Sequence, residues 1–211
     1  KKILTRPWLS ALLSPFTWLA DQAYTLVNFI LLRSSIQIEI VDEFSEADTH
    51  AIAALTEQYQ NCAVKNSATL NWRYAKSSVR DYRFFVAKDA GKVCGYAVVR
   101  VMNMRQFKVL GIADLMVTAG RADILRAFVK KFRGVGKNEN ADLITCLLNV
   151  KDHTLSLLKN YFFLKGPESF YLIIHADAKG KFSPALKGKD AAGHAALLQD
   201  WHITWYDHDY V

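Results

Sequence analysis

Between residues 82 and 117 three apolar runs follow one another with only turn residues between them. Residues 82–88 and 93–102 flank Asp89-Ala-Gly-Lys92, and apolar runs around an Asp-x-Gly turn predict a β-hairpin. Residues 107–117 predict a third strand of the same meander. Such a meander must bury its apolar faces, so its flanking helices are constrained to pack there.

The flanks supply those elements. Ile36-Gln-Ile-Glu-Ile-Val41 alternates with period two and predicts a strand. Residues 45–60 predict a helix with Ile52, Leu55 and Tyr59 on one face, capped by Ser45 with Asp48 three residues on. Residues 69–75 predict a short helix. Residues 121–133 predict a helix with Ile124, Leu125, Phe128, Val129 and Phe132 inward, ended by Gly134 and Gly136, with Lys130, Lys131 and Arg133 suiting its C-terminal dipole. A buried strand at 143–148, a helix from Asp152 to Tyr161, a strand at 169–175, a loop at 179–192 and a last strand at 201–210 complete the order. A meander followed by strand–helix–strand–helix–strand predicts an α/β fold, a mixed and mostly antiparallel sheet with helices on both faces.

Residues 7–32 carry one charge, Asp21. Pro15 interrupts the stretch, and an Asp in the middle of a span costs about 2.5–3.5 kcal/mol on insertion. Phe16, Leu19, Ala20, Ala23, Leu26, Val27, Ile30 and Leu31 recur at helical spacing, opposite Thr17, Asp21, Thr25 and Asn28. Ser14 and Pro15 suit an N-cap and first helical position. The reading is an amphipathic linker helix, about 15–32, packed on a protein neighbour. A weak membrane-surface contact through it is the alternative. The division is therefore 1–35, linker helix, and 36–211, one domain. The chain opens on Lys1 rather than Met and reads as a fragment missing its first half.

Composition excludes other classes. The chain has 211 residues, 51% hydrophobic and 22% charged, which excludes a disordered tail. Its net charge of +7 favours anionic partners, but no block of five like charges exists, which argues against a nucleic-acid tail. Cys62, Cys94 and Cys146 have no zinc-type spacing, and their odd number fits a reducing, cytoplasmic compartment. Cys94 and Cys146 read as inert core thiols.

The strand order, with particular residues, resembles the GNAT (Gcn5-related N-acetyltransferase) superfamily. Residues 82–96, ending Val93-Cys-Gly-Tyr96, resemble that family's central hairpin, and Ile112-Ala-Asp-Leu-Met-Val117 resembles its next strand. Leu70-Asn-Trp-Arg-Tyr74 and Trp201-His-Ile-Thr-Trp-Tyr-Asp207-His-Asp209 resemble a narrower group, the GNAT-like proteins of bacterial surface-polysaccharide gene clusters. There the chain is similar to the second of two GNAT-like halves. The resemblance implies acyl transfer from acetyl-CoA or another acyl-CoA, with no metal, to a small-molecule or saccharide acceptor. It implies a partner in the missing N-terminal domain or a second copy, and a location in the cytoplasm or at the membrane's inner face. Two rivals share the fold: a non-catalytic half that packs on a catalytic partner, and a Fem-type aminoacyl transferase using charged tRNA.

The resemblance assigns residues to roles. Met116, Val117, Thr118, Gly120 and Arg121 would meet the coenzyme, the last two at its pyrophosphate. The family's loop is richer in glycine: here Thr118-Ala-Gly-Arg-Ala-Asp123 holds one glycine and one cation, and Asp123 adds negative charge. The position of the family's general-acid tyrosine is Leu158, with Tyr161 three residues on as the substitute. Asp114 interrupts an apolar strand and is the candidate base, with a raised pKa expected from burial; the plainer reading is a structural acid paired with an Arg. Trp72, Arg73 and Tyr74 could line an acceptor pocket. Strand alternation puts Asp207 and Asp209 on one face, toward acceptor, and His208 on the other. His153, His175 and His202 read as structural. The lysines at 179, 181, 187 and 189 read as a solvated loop, and Arg-Gly-Val-Gly at 133–136 follows a helix, which a phosphate loop does not.

Overall fold

The computed structural model describes residues 35–59, 61–77, 80–148, 153–161, 163–165, 201–202 and 204. The expected helix at 15–32, the strand at 169–175, the loop at 179–192 and most of 201–210 lie outside the described residues. No helix among the described residues is long and apolar enough to cross a membrane.

In chain order the strands are β1 (Gln37–Val41), β2 (Asn61–Cys62), β3 (Tyr82–Asp89), β4 (Lys92–Met104), β5 (Phe107–Val117), β6 (Leu143–Cys146) and β7 (Trp201–His202). The helices are α1 (Thr49–Thr56), α2 (Ser67–Leu70), α3 (Ala122–Asn138) and α4 (His153–Lys159). The meander forms the middle of a five-stranded sheet ordered β1-β3-β4-β5-β6. Its pairs are antiparallel except β5 with β6. This is the mixed, mostly antiparallel sheet expected. The two residues of β2 pair in parallel with β7.

Each face of the sheet carries its own core. Phe85, Ala97, Leu110, Ile112 and Leu115 meet Phe128, Phe132 and Leu158 from α3 and α4. On the other face Val86, Tyr96, Val98 and Met116 meet Ile52, Leu55 and Leu70 from α1 and α2. The hairpin turn has positive φ at both residues, 49° at Ala90 and 79° at Gly91, matching the strand twist as a two-residue turn must.

Several boundaries differ from expectation, three of them for a reason of local packing or capping. The helix expected to stop at Gly134 runs to Asn138. A helical glycine costs only about 1 kcal/mol against alanine, and burial of Val135 and Gly136 offsets it. A Cβ at Gly136 would meet Ile144 Cδ1 at 3.6 Å, so the helix there lies close on β6. The helix expected from Ser45 opens as a 3-10 turn, Glu46–Asp48, before α1, with the Ser45 side chain accepting from Asp48 N–H. The short helix starts two residues earlier than expected, at Ser67, where Asn66 makes a full capping box with Thr69; residues Asn71–Ala75 then widen into a π turn.

Candidate functional site

Two features of β5 set the site. A bulge lies opposite Val98/Val99, because Val98 pairs with Asp114 and Val99 with Ile112, leaving Ala113 over. Pairing with β6 also stops at Ile112, the partner of Cys146. The strand expected to reach residue 148 therefore ends its pairing at 146, and β5 and β6 diverge at the bulge. Thr118 N–H donates to the Cys94 carbonyl. By the alternation of an antiparallel ladder, Met116 and Asp114 also bond toward β4, while Leu115 and Val117 turn their peptide groups away from it. One of those groups is used: Gln58 Nε2 donates to the Val117 carbonyl at 2.9 Å.

Asp114 sits at the divergence and is fully buried. Lys65 Nζ lies 2.8 and 3.0 Å from its two oxygens. Tyr96 Oη donates to Oδ2 at 3.1 Å and Thr204 Oγ1 to Oδ1 at 3.3 Å. His202 Nε2 is 3.9 Å from Oδ1. Lys65, Tyr96, His202 and Thr204 are each buried. The Tyr59 ring stands between two imidazoles, with centroids 4.5 Å from His202 and 5.7 Å from His153.

These contacts correct the expectation of a raised Asp114 pKa. Burial does push it up, but the Lys65 charge and the His202 imidazole 3.9 Å away outweigh burial and take it down to about 2. Burial first, then the Asp114 charge, pushes the Tyr96 phenol well up, so it stays a donor. The acid pairs with Lys65 rather than with an Arg. At neutral pH Asp114 is an ion-paired carboxylate and a weak proton acceptor.

The sign of its pH effect follows. The unfolded carboxyl titrates near 3.9, above the folded value of about 2. Its contribution is therefore complete above about pH 5 and is lost as pH falls through 4 toward 2, an expected loss of about 2–3 kcal/mol. Urea midpoints from pH 7 to pH 2 test this: the wild-type chain should lose stability more steeply than Asp114→Asn, and equal slopes would sink the assignment.

The turn into α3 holds the expected pyrophosphate residues. Arg121 N–H donates to the Thr118 carbonyl, and Gly120 has φ +75° with nothing within 4 Å of a Cβ placed there. An L residue at 120 would be strained by its backbone, not by neighbours. Arg121 is already engaged. Its Nε and Nη2 donate to Asp123 at 2.9 and 2.8 Å, and Nη2 also donates to Asp89 at 2.8 Å. The hydrogen bond to Asp123, then that to Asp89, raises the Arg121 pKa, and Arg121 lowers that of Asp123. One guanidinium thus faces two carboxylates at the mouth of the helix, an unfavourable field for an anion.

The other predicted residues are dispersed. Tyr161 is buried at the end of α4, its hydroxyl 3.4 Å from Arg126 Nε, and its carbonyl accepts from Arg133. Trp72 is 69% exposed, while Tyr74 is buried edge-on to Tyr82 at 4.7 Å, so the π turn sends them to opposite sides, with Arg73 half-buried. Asp207 and Asp209 lie outside the described residues. Among the described residues no three His, Cys, Asp or Glu side chains are grouped as a metal site needs. Cys94 is buried, its Sγ donates to the Ala87 carbonyl and burial raises its pKa, the mark of an inert thiol. Sequence reasoning missed Lys65 and Gln58 and took His202 as structural. Nothing local marks Lys65, whose partner is 49 residues away.

No protein-family model matches the chain, and no curated protein does. Among solved structures the chain is similar to the ribosomal-protein-alanine N-acetyltransferase of Brucella melitensis biovar Abortus 2308, at 12% identity and TM-score 0.49, over 67% of this chain and 100% of that one. It is similar to an aminoglycoside acetyltransferase from an uncultured soil metagenomic sample, in complex with trehalose, at 16% identity and TM-score 0.48, over 66% and 97% of the two chains. A protein of Thermus thermophilus aligns at 14% identity and TM-score 0.48, over 65% and 96%.

Proposed function

We propose that this domain transfers an acyl group from a coenzyme A thioester to an amine or hydroxyl acceptor, a saccharide precursor of a bacterial surface polysaccharide, in the cytoplasm. The observation that carries this reading is the divergence of β5 from β6, which among the described residues leaves the outward peptide groups of Leu115 and the Val117 N–H unpaired with β6 and turned toward an amide-bearing pantetheine arm, the Val117 carbonyl being held by Gln58. The acceptor atom attacks the thioester carbonyl, the C–S bond breaks, and the coenzyme leaves as its thiol. Because Asp114 is held by Lys65 and both are closed to water, the carboxylate does not take the acceptor's proton, which passes through solvent to the departing thiolate. The acceptor class rests on the resemblance of residues 70–74 and 201–209.

The donor's two ends fit unequally. The β5 edge beyond Ile112 offers peptide groups to the pantetheine arm, whereas a diphosphate at α3 must displace Asp123 and Asp89 to gain Arg121. Thermal unfolding with about 1 mM acetyl-CoA tests both points. For a dissociation constant near 10 μM the stabilisation is about 2.7 kcal/mol, a rise in Tm of roughly 5–10 °C. Asp123→Asn should enlarge the shift by removing one of the two carboxylates on Arg121. No shift in either chain, with longer acyl-CoA thioesters also silent, overturns autonomous acyl transfer.

A second reading has its own support. Gln58 on the Val117 carbonyl and two carboxylates on Arg121 fill, with the chain's own groups, positions a donor would need. They favour a non-catalytic GNAT-like half that shapes the acceptor site of a partner domain. Silence of both chains toward acetyl-CoA is its expected result.

A further inference from the structure

Among the described residues β1 is the outer strand of the five-stranded sheet, paired only with β3. Beside it, β1 and α3 leave an open groove of about 540 Å³ lined by Ile36, Ile38, Ile40, Ala127 and Gly134. The three isoleucines share one face of the strand by its period of two. Ile36 is buried at one end, yet Ile40 at the other is 59% exposed. Ala127 and Gly134 are seven residues apart on α3 and so lie on one stripe of the helix. A Cβ at Gly134 would meet nothing within 4 Å. Small side chains at such a position let a second helix approach closely.

We propose that residues 15–32 of this same chain occupy the groove as a helix running antiparallel to β1. Their apolar positions, Leu19, Ala20, Ala23, Leu26, Val27 and Ile30, form the stripe the groove needs. Leu32 is four residues before Ile36, a reach of at most about 14 Å, so a helix ending there is delivered to the buried end of the groove. From Ile36 to Ile40 the strand is about 13 Å long, and eighteen helical residues span about 27 Å, enough to cover the exposed Ile40. The groove's charged lining is cationic on balance, Arg83, Lys130 and Lys131 against Glu139, and the segment's one charge is Asp21. The apolar stripe of 15–32 is then satisfied within the domain, and the linker joins it rather than floating ahead of it.

Disulfide trapping in the full chain tests this independently of any acyl transfer. Gly134→Cys is combined in turn with Ala20→Cys, Ala23→Cys or Val27→Cys on the apolar face, and with Thr25→Cys on the opposite face. Mild oxidation followed by peptide mass spectrometry should find an intramolecular link from 134 to an apolar-face position at least about ten-fold above that to 25. Equal yields, or no intramolecular link from any position, overturn the docking. A 134-linked dimer in place of it overturns it in favour of a second copy of the chain. Co-sedimentation of the full chain with neutral phosphatidylcholine vesicles that Leu26→Asp abolishes overturns it in favour of a membrane surface.

Discussion

Lys65→Met is expected to destabilise the domain by about 3–5 kcal/mol, lowering Tm by roughly 6–20 °C. The substitution keeps the length of the side chain and removes its charge. It leaves Asp114 ionised or forced to protonate in a site with no exposure to water. Tyr96 and Thr204 still donate to the carboxylate, but no cation among the atoms they bring balances it. The double replacement Lys65→Met with Asp114→Leu separates this penalty from the worth of the pair. Removing both charges at once removes the uncompensated ion, so the double variant should lie much nearer the wild type than Lys65→Met. That pattern, measured by thermal or urea unfolding, shows that the cost of Lys65→Met is the uncompensated charge and that the pair adds little net stability. A single variant within 1 kcal/mol of wild type, on the order of a surface pair, would contradict the buried ion pair itself.

Phe128→Ala is expected to cost about 3–5 kcal/mol. Phe128 is fully buried, stacked on Phe132 with centroids 5.8 Å apart. It lies over Gly95, where a Cβ would come within 3.1 Å of Phe128 Cε2, 3.1 Å of Ile124 Cγ2 and 3.0 Å of the Met116 carbonyl. Gly95 is thus the position that lets α3 close on the hairpin. Gly95→Ala alone should cost about 1–3 kcal/mol by overpacking. In the Phe128→Ala background one of its three collisions is gone, so the two changes together should cost less than their sum by about 0.5 kcal/mol or more. Urea titrations with unchanged slope would measure this. Strict additivity would mean that the ring does not rest on that glycine.

Local patterns carried the sheet's centre and its helical faces. The Asp-x-Gly turn and its flanking runs needed only near neighbours in sequence, and β3, β4 and β5 lie where those runs are. The inward face of α3 is equally legible, because Ile124, Leu125, Phe128, Val129 and Phe132 recur every three or four residues. Gly134 misled, since a glycine's helix penalty is local while the burial that overrides it comes from β6. Asp114 was legible as an anomaly, a carboxylate in an apolar strand, but not as an ion pair. Its cation comes from a loop 49 residues earlier, and Thr204 joins from 90 residues later. Arg121 likewise looked available until the hairpin turn brought Asp89 to it from 32 residues away. By itself the sequence determined which segments alternate with period two or 3.6 and which side chains face a core, because those rules act between residues a few positions apart. Only the tertiary structure decided the charge state of Asp114 and the partners of Arg121, because Coulomb energy and desolvation depend on distance in space and on exclusion of water, which the order of residues does not state.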